Sequence, residues 1–300
     1  FINDIALDLH STIRLFADDA ILYRAMSSHD DHRLMQEDLL TLSRWAETWC
    51  MEFNTKKCYA IHIQTKKQKR ENVCIPYIMK GVELQRVSDT LYLGVNIDEH
   101  LSWEPHIGSM VAKAEGKLAF LERNLKGCPK DLKESAYITI VRSGLEYASA
   151  IWDPPLKSKP SKNLEKVQRK AARFVTGNPR KRHAEHMPDR DYDYVSVGGL
   201  IEELAWPSLV SRRKAARCTL IYKIRQGLVA VDPSLLPPSA STKTRAGKRQ
   251  EFLPMRSQKG ACGRPHRESI FPRSVCDWNS LPLSAKMAAD LEGFKAALPQ

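Results

Sequence analysis

Two aspartates, Asp18 and Asp19, stand side by side in the stretch TIRLFADDAILYRA, between apolar runs that include Ile13, Leu15, Ile21, Leu22 and Tyr23. Adjacent carboxylates about 6 Å apart repel by about 3 kcal/mol at an effective dielectric of about 20. A divalent cation turns that penalty into a gain, because Mg2+ takes carboxylate oxygens and neutralises both charges. The other reading is an exposed acidic turn solvated by water, and the pair alone does not decide between them. Its neighbours predict the backbone. Apolar segments rich in β-branched and aromatic residues, split by two residues, read as a β-hairpin with its break at Asp18-Asp19. Asp-Asp is a poorer turn former than the Asn-Gly or Asp-Gly that tight hairpins prefer.

Other constellations carry less. In the tetrad HDDH (His29 to His32), Ser28 is placed as an N-cap with Asp31 reaching back, a capping box rather than a metal site. CGRPH (Cys262 to His266) with Cys276, and HAEH with His183 and His186, lack a complete zinc ligand set. No Ser-His-Asp order and no P-loop occur, and no organic cofactor is expected. The seven cysteines, at 50, 58, 74, 128, 218, 262 and 276, are odd in number and without CxxC spacing. They read as reduced thiols of an intracellular protein of the nucleus or cytoplasm. A net charge of +12 and a pI near 9.4 point to polyanionic partners. No run of apolar residues is long enough to span a membrane. The chain opens on Phe1 with no cleavable leader pattern, and is expected to begin inside a longer reading frame.

The elements that must position the aspartates follow from periodicity. A helix from Ser28 to about Cys50 carries Met35, Leu39, Leu42, Trp45, Trp49 and Phe53 as one stripe. NTKKCYAIHIQ is a turn leading into a strand. CIPYIMKGVELQ and TLYLGVNID read as further strands, with Gly81 marking a turn and Gly94 a close backbone approach. Residues 1–100 therefore form a small α+β unit. From Ser102 the period becomes helical. Trp103, Ile107, Met110, Ala114, Leu118, Leu121 and Leu125 make one stripe. A second helix from Pro129 carries Leu132, Ala136, Ile140, Leu145 and Ala148. A third, capped by Ser161 and ended by Gly177, buries Leu164, Val167, Ala171 and Phe174 and exposes Lys162, Lys166, Arg169, Lys170 and Arg173. These give a helical domain over 101–178. Residues 179–199 read as a linker. The region 200–300 reads as basic and helical: a helix from Ser208 to Gln226 exposes RRKAAR, 231–270 is mobile, and a compact VCDWNSLP precedes a last helix.

The order of these stretches resembles a known family. LFADD on a hairpin, a Trp-containing helix, NTKKC before a strand and then YLGV follow the palm of a reverse transcriptase from a non-LTR (LINE-type) retrotransposon. FADD resembles the catalytic C motif, NTKKC motif D and YLGV the primer-grip motif E; FINDI resembles the segment after the template-contacting B motif. LSWEPHI, LEYASAIWDP, LEKVQRKAARF, YKI and WNSLP resemble the helical thumb and C-terminal segments of the jockey and CR1-like branches. The resemblance implies a partial palm over 1–100, a thumb-like bundle over 101–178, and an RNA-directed DNA polymerase that copies element RNA at a nicked target site.

It also implies roles. Nucleotidyl transfer uses two Mg2+ ions about 3.5–4 Å apart, with Asp18 the firmer ligand and Asp19 a weaker one. Phe16 and Ala17 would pack under the primer terminus. Lys56 or Lys57 would steady or protonate pyrophosphate, although a solvated lysine in a turn accounts for either equally well. Leu93 and Gly94 would shape the hairpin that holds the primer. KKQKR (Lys66 to Arg70), the Lys162–Arg173 face with Lys166, Arg169, Lys170 and Arg173, RRKAAR (Arg212 to Arg217) and the 242–273 segment would track a heteroduplex of RNA template and DNA primer, with dNTPs as substrates. The family needs a third acid, from motif A, which Asp4 and Asp8 are not placed to supply. The chain alone is therefore expected to be inactive. The alternative is a remnant that only binds nucleic acid.

Overall fold

The computed structural model describes residues 2–64, 75–178, 196–232, 235–236, 252 and 269–298. The chain divides into two compact units, Phe1–Leu101 and Ser102–Gln300. The first is mixed helix and strand; the second is helical.

In the first unit a single 3-10 turn (Ile2–Ala6) precedes β1 (Thr12–Phe16) and β2 (Asp19–Tyr23), which pair antiparallel with Phe16 opposite Asp19. The reversal is Ala17–Asp18, one residue earlier than expected, and Asp19 already belongs to β2. Register explains the shift. With this turn the buried Ile13 faces Leu22; a turn at Asp18-Asp19 would set Arg24 opposite Ile13 instead. Helix α1 (His29–Thr48) begins with the expected capping box, the Asp31 carboxylate accepting from the backbone N–H groups of Ser27 and Ser28 at 2.9 Å each. Met35 is buried, and Leu39 and Leu42 share a core with Ile5, Ile13, Met79 and Leu84, while Trp49 of the expected stripe is exposed.

The short strands are more broken than the sequence suggested. CIPYIMKGVELQ contains β4 (Ile78–Met79), a turn at Lys80–Gly81, β5 (Val82–Glu83) and β6 (Gln85–Arg86), the last parallel to β3 (Tyr59–Ala60). TLYLGVNID lies in a hairpin: β7 (Asp89–Tyr92) and β8 (Val95–Asp98) reverse at Leu93–Gly94, whose φ angles are +46° and +77°. Both turn residues need left-handed backbone, which is why a glycine stands at the second.

In the second unit α2 (Glu104–Asn124) packs beside a segmented helix. Its α3 (Lys130–Ala136) runs into a π-helical stretch, Tyr137–Arg142, then α4 (Ser143–Glu146), and after a break at Ala148 (φ +51°) into α5 (Ser149–Trp152). The wider π turn rotates the buried face. Tyr137, Val141, Leu145 and Trp152 line the core, whereas Leu132 and Ile140, assigned to it from the sequence, are exposed. Helix α6 (Lys159–Thr176) is capped by Ser158, whose hydroxyl accepts from Ser161 N–H, so Ser161 is not the cap but lies one turn inside. Gly177 ends it at φ +69° as expected.

Residues 179–195 of the expected linker lie outside the described residues, but 197–199 open a helix, α7 (Val197–Glu203). Then come α8 (Leu209–Arg225), α9 (Ile270–Ser280), α10 (Leu283–Lys286) and α11 (Leu291–Ala296). Ile221, Tyr222, Val275, Trp278 and Phe294 share one core with Leu236 and Phe252. Most of the stretch expected to be mobile, 231–270, lies outside the described residues; Leu236 and Phe252 within it are buried.

RRKAAR is not an exposed run. Arg213 and Arg217 are 1% and 4% exposed. The Asp153 carboxylate, between α5 and α6, accepts from Arg213 Nε at 2.6 Å, from Arg273 Nη2 at 2.6 Å and from Arg217 Nη1. Arg217 also binds Asp277 on α9, and Arg273 donates to the Asp153 carbonyl at 2.6 Å. Burial pushes the Arg213 guanidinium down to about 10, which leaves it charged at neutral pH. The buried Arg213 and Arg217 and the half-buried Arg273 therefore share the Asp153 carboxylate, Arg217 having a second partner in Asp277. Asp153→Asn is expected to destabilise the second unit by about 4 kcal/mol, seen as a lowered midpoint in denaturant unfolding followed by Trp fluorescence.

Candidate active-site hairpin and nucleic-acid interface

The β1–β2 hairpin is held at its base and open at its tip. Asp38, buried in α1, accepts from the backbone N–H groups of His10 and Ser11 at 2.8 Å each, fixing the entry to β1. Arg24, just after β2, donates to Asp31 at 2.9 Å and to the His10 carbonyl at 2.8 Å, fixing the exit. Both anchors stand on α1. Asp38 lies on its apolar stripe, between Met35 and Leu39, and a charged residue in that position was the available sign of an internal role. Asp4, one of the two upstream acids, accepts from Trp45 Nε1 at 2.8 Å and is occupied structurally.

At the tip Ala17 takes φ +51°, and Phe16, Ala17, Asp18 and Asp19 are all exposed, Phe16 to 61%. Asp18 in the turn and Asp19 at the start of β2 are adjacent and exposed, and carboxylate oxygens are the ligand type a hard cation takes. Among the described residues no group of three or more His, Cys, Asp or Glu is arranged to hold a metal ion. Lys56 and Lys57 sit on a separate 3-10 turn (Thr55–Lys57), both exposed, with Asn54 Oδ1 accepting from Lys56 N–H at 3.2 Å. Neither forms an ion pair with Asp18 or Asp19. Leu93 and Gly94 are the two turn residues of the β7–β8 hairpin.

In the second unit, α6 separates its faces cleanly. Leu164, Val167, Gln168, Ala171, Ala172 and Val175 are buried. Lys159, Lys162, Lys166, Arg169 and Arg173 recur at steps of three and four along the other side, a stripe about 21 Å long at 1.5 Å per residue. Lys159, Lys162, Lys166 and Arg169 are exposed, whereas Lys170 is turned to Glu115 on α2 at 2.5 Å. Of the other basic stretches, KKQKR and most of 242–273 lie outside the described residues, as do Cys262, His266, His183 and His186. Arg273 is inside and belongs to the Asp153 network. The described cysteines, Cys50, Cys58, Cys128, Cys218 and Cys276, are free thiols. No described helix is long and apolar enough to cross a membrane.

The chain's relatives are RNA-directed DNA polymerases of transposable elements. It is 26% identical over 172 residues to the probable RNA-directed DNA polymerase from transposon BS of Drosophila melanogaster, which covers 55% of this chain and 18% of that protein. To the probable RNA-directed DNA polymerase from transposon X-element of the same fly it is 25% identical over 178 residues, 58% of this chain and 19% of the relative. To the RNA-directed DNA polymerase from mobile element jockey of Drosophila funebris it is 26% identical over 171 residues, 56% and 18%. These relatives bear out the resemblance to jockey-like reverse transcriptases. The chain spans less than a fifth of the length of the curated relatives it matches. No family model and no solved structure matches it.

The hairpin's anchors titrate. Hydrogen bonds from the Ser27 and Ser28 N–H groups, then from Arg24, hold the Asp31 carboxyl well below the usual carboxylate range. A depressed carboxyl stabilises the fold at any pH above its unfolded value, and that contribution is lost as pH falls toward the folded value. His32, whose Nδ1 lies 2.6 Å from the Tyr77 hydroxyl, is pushed down by burial and then by His62 and His29. Its neutral form is favoured by folding, so stability is also lost as pH falls through the ordinary histidine range. Acid titration of the first unit is expected to show two separate losses, the upper abolished in His32→Gln and the lower in Asp31→Asn.

Proposed function

We propose that this chain is part of an RNA-directed DNA polymerase that copies retrotransposon RNA into DNA at a nicked target site, with 1–100 as part of its palm and 101–178 as its thumb. The single observation that carries this reading is the acidic pair at the tip of a base-clamped hairpin, in a chain similar to such polymerases along more than half its length. A divalent ion such as Mg2+ bound there would stabilise charge on the phosphoryl oxygens during transfer of dNTPs. Asp18 and Asp19 would offer it oxygens, Asp18 the more firmly, and Phe16 and Ala17 would support the primer end. The β7–β8 turn at Leu93 and Gly94 would hold the primer strand, and Lys56 or Lys57 would face the pyrophosphate. Lys162, Lys166 and Arg169 would follow the phosphates of the template–primer duplex.

A third carboxylate is required from outside the described residues. The exposed basic face of α6 favours one second reading, a remnant that binds nucleic acid there and does no chemistry. Primer extension separates the readings. The 300-residue chain with Mg2+ is expected to add no nucleotides, and template-dependent synthesis by it would refute the need for a further acid. In a longer polymerase containing this sequence, Asp18→Ala should abolish synthesis and leave RNA binding within about twofold. Activity surviving that change would remove Asp18 from the site.

A further inference from the structure

The outward face of the β1–β2 hairpin carries one cation. Alternation along the paired strands puts Thr12, Arg14 and Phe16 of β1 on one face, opposite Tyr23, Ile21 and Asp19 of β2 in that order. The other face, with Ile13 and Leu22, turns to the core. Phe16 is 61% and Tyr23 47% exposed, and Arg14 between them is exposed as well. From tip to base the face therefore runs acid, aromatic ring, cation: Asp19 beside Phe16, then Arg14 two residues further along β1.

The charge of Arg14 is uncommitted. Asp19 is its diagonal cross-strand neighbour, at a spacing of about 7–8 Å that a long side chain can bridge. Yet Arg14 forms no ion pair with Asp19 or with any other described carboxylate. Its Nη1 donates to the carbonyl of the adjacent Ile13 at 3.2 Å. The hairpin's other arginine is the contrast: Arg24 is bound to Asp31 and to the His10 carbonyl, and holds the base. A guanidinium is a planar fork that takes a phosphate through two parallel N–H···O contacts, and Arg14 has that fork open on the face of the acidic tip.

The order of residues says which phosphate it meets. In the proposed reading the primer end rests on Phe16, with the metal beyond it at Asp18 and Asp19. The incoming nucleotide then lies on the metal side of the ring, and the primer strand already made lies on the other. A same-face step along a strand is about 7 Å, comparable to one nucleotide of backbone, so Arg14 stands one linkage back from the reacting end.

We infer that Arg14 grips the primer strand at the phosphate next to its 3′ end and so holds that end in register with the metal. The inference rests on the proposed polymerase role, and adds to it a primer contact separate from both the acidic pair and the α6 stripe. Contacts of this kind position a strand without reading its sequence.

The test is primer extension by a longer polymerase containing this sequence, with primers in which one phosphate at a time is replaced by a neutral methylphosphonate. For the unaltered enzyme, neutralising the linkage next to the 3′ end is expected to lower kcat/KM for the primer by about tenfold or more. R14Q should lose as much on the ordinary primer and nothing further when that linkage is neutral. R14K, which keeps the charge without the fork, should fall between them, and the KM for dNTPs should not move. The inference fails if R14Q matches the unaltered enzyme on the ordinary primer, or if its loss adds to that of the neutral linkage. A loss confined to the KM for dNTPs or to the Mg2+ requirement also overturns it, and assigns Arg14 to the incoming nucleotide or to Asp19. Asp18→Ala is run beside these variants; if it still extends primers, the polymerase reading itself fails whatever R14Q does.

Discussion

The second unit depends on one carboxylate. Asp153 sits where the segmented helix ends and α6 is about to begin, and three guanidiniums from α8 and α9 converge on it. Taking those cations out of water costs several kcal/mol each, and only a partner of opposite charge with good geometry offsets it. Arg273 comes from a helix more than a hundred residues further along the chain and also binds the Asp153 and Pro154 carbonyls. The contact therefore fixes backbone as well as side chains. The aromatic core of Tyr222, Trp278 and Phe294 lies on the same two helices and α11, Tyr222 and Phe294 stacking at 4.5 Å.

The first unit uses carboxylates in the opposite way at its two ends. Asp38 and Asp31 are saturated with backbone and arginine donors and hold the hairpin's base. Asp18 and Asp19 are exposed at the tip. A turn whose carboxylates had been satisfied internally would be better folded and unable to take a ligand. Fixing the strand ends with two acids leaves the other two open without loosening the hairpin.

Much of this was legible beforehand where the pattern was local. The hairpin, the Ser28–Asp31 capping box, α1, α8 and the C-terminal glycine of α6 depend on spacing within a few residues, and spacing is visible in a sequence. What was misread depends on residues far apart. The turn shifted by one because Ile13 needed Leu22 across from it. RRKAAR looked solvated because a basic run says nothing about acids sixty residues away at Asp153 and Asp277. The face of the segmented helix was set by a π turn, which leaves no compositional mark. Of the acidic site, residue types and adjacency were readable, but not which side chain would occupy the turn.

That π turn has a consequence for how the chain tolerates change in length. A π turn holds one more residue than an α turn, so deleting a single residue between 137 and 142 would let the helix close into ordinary α geometry. The residues beyond it would then keep nearly the same phase about the helix axis, because five residues at the α step of about 100° cover about the rotation that six cover in the wider turn. Leu145 and Trp152 would stay on the core side. A one-codon deletion just upstream, within α3, has no spare residue to absorb it and would swing Leu145, Trp152 and Asp153 by about 100° away from their partners. The π turn is thus the one place along this helix where a residue can be lost without moving the buried face.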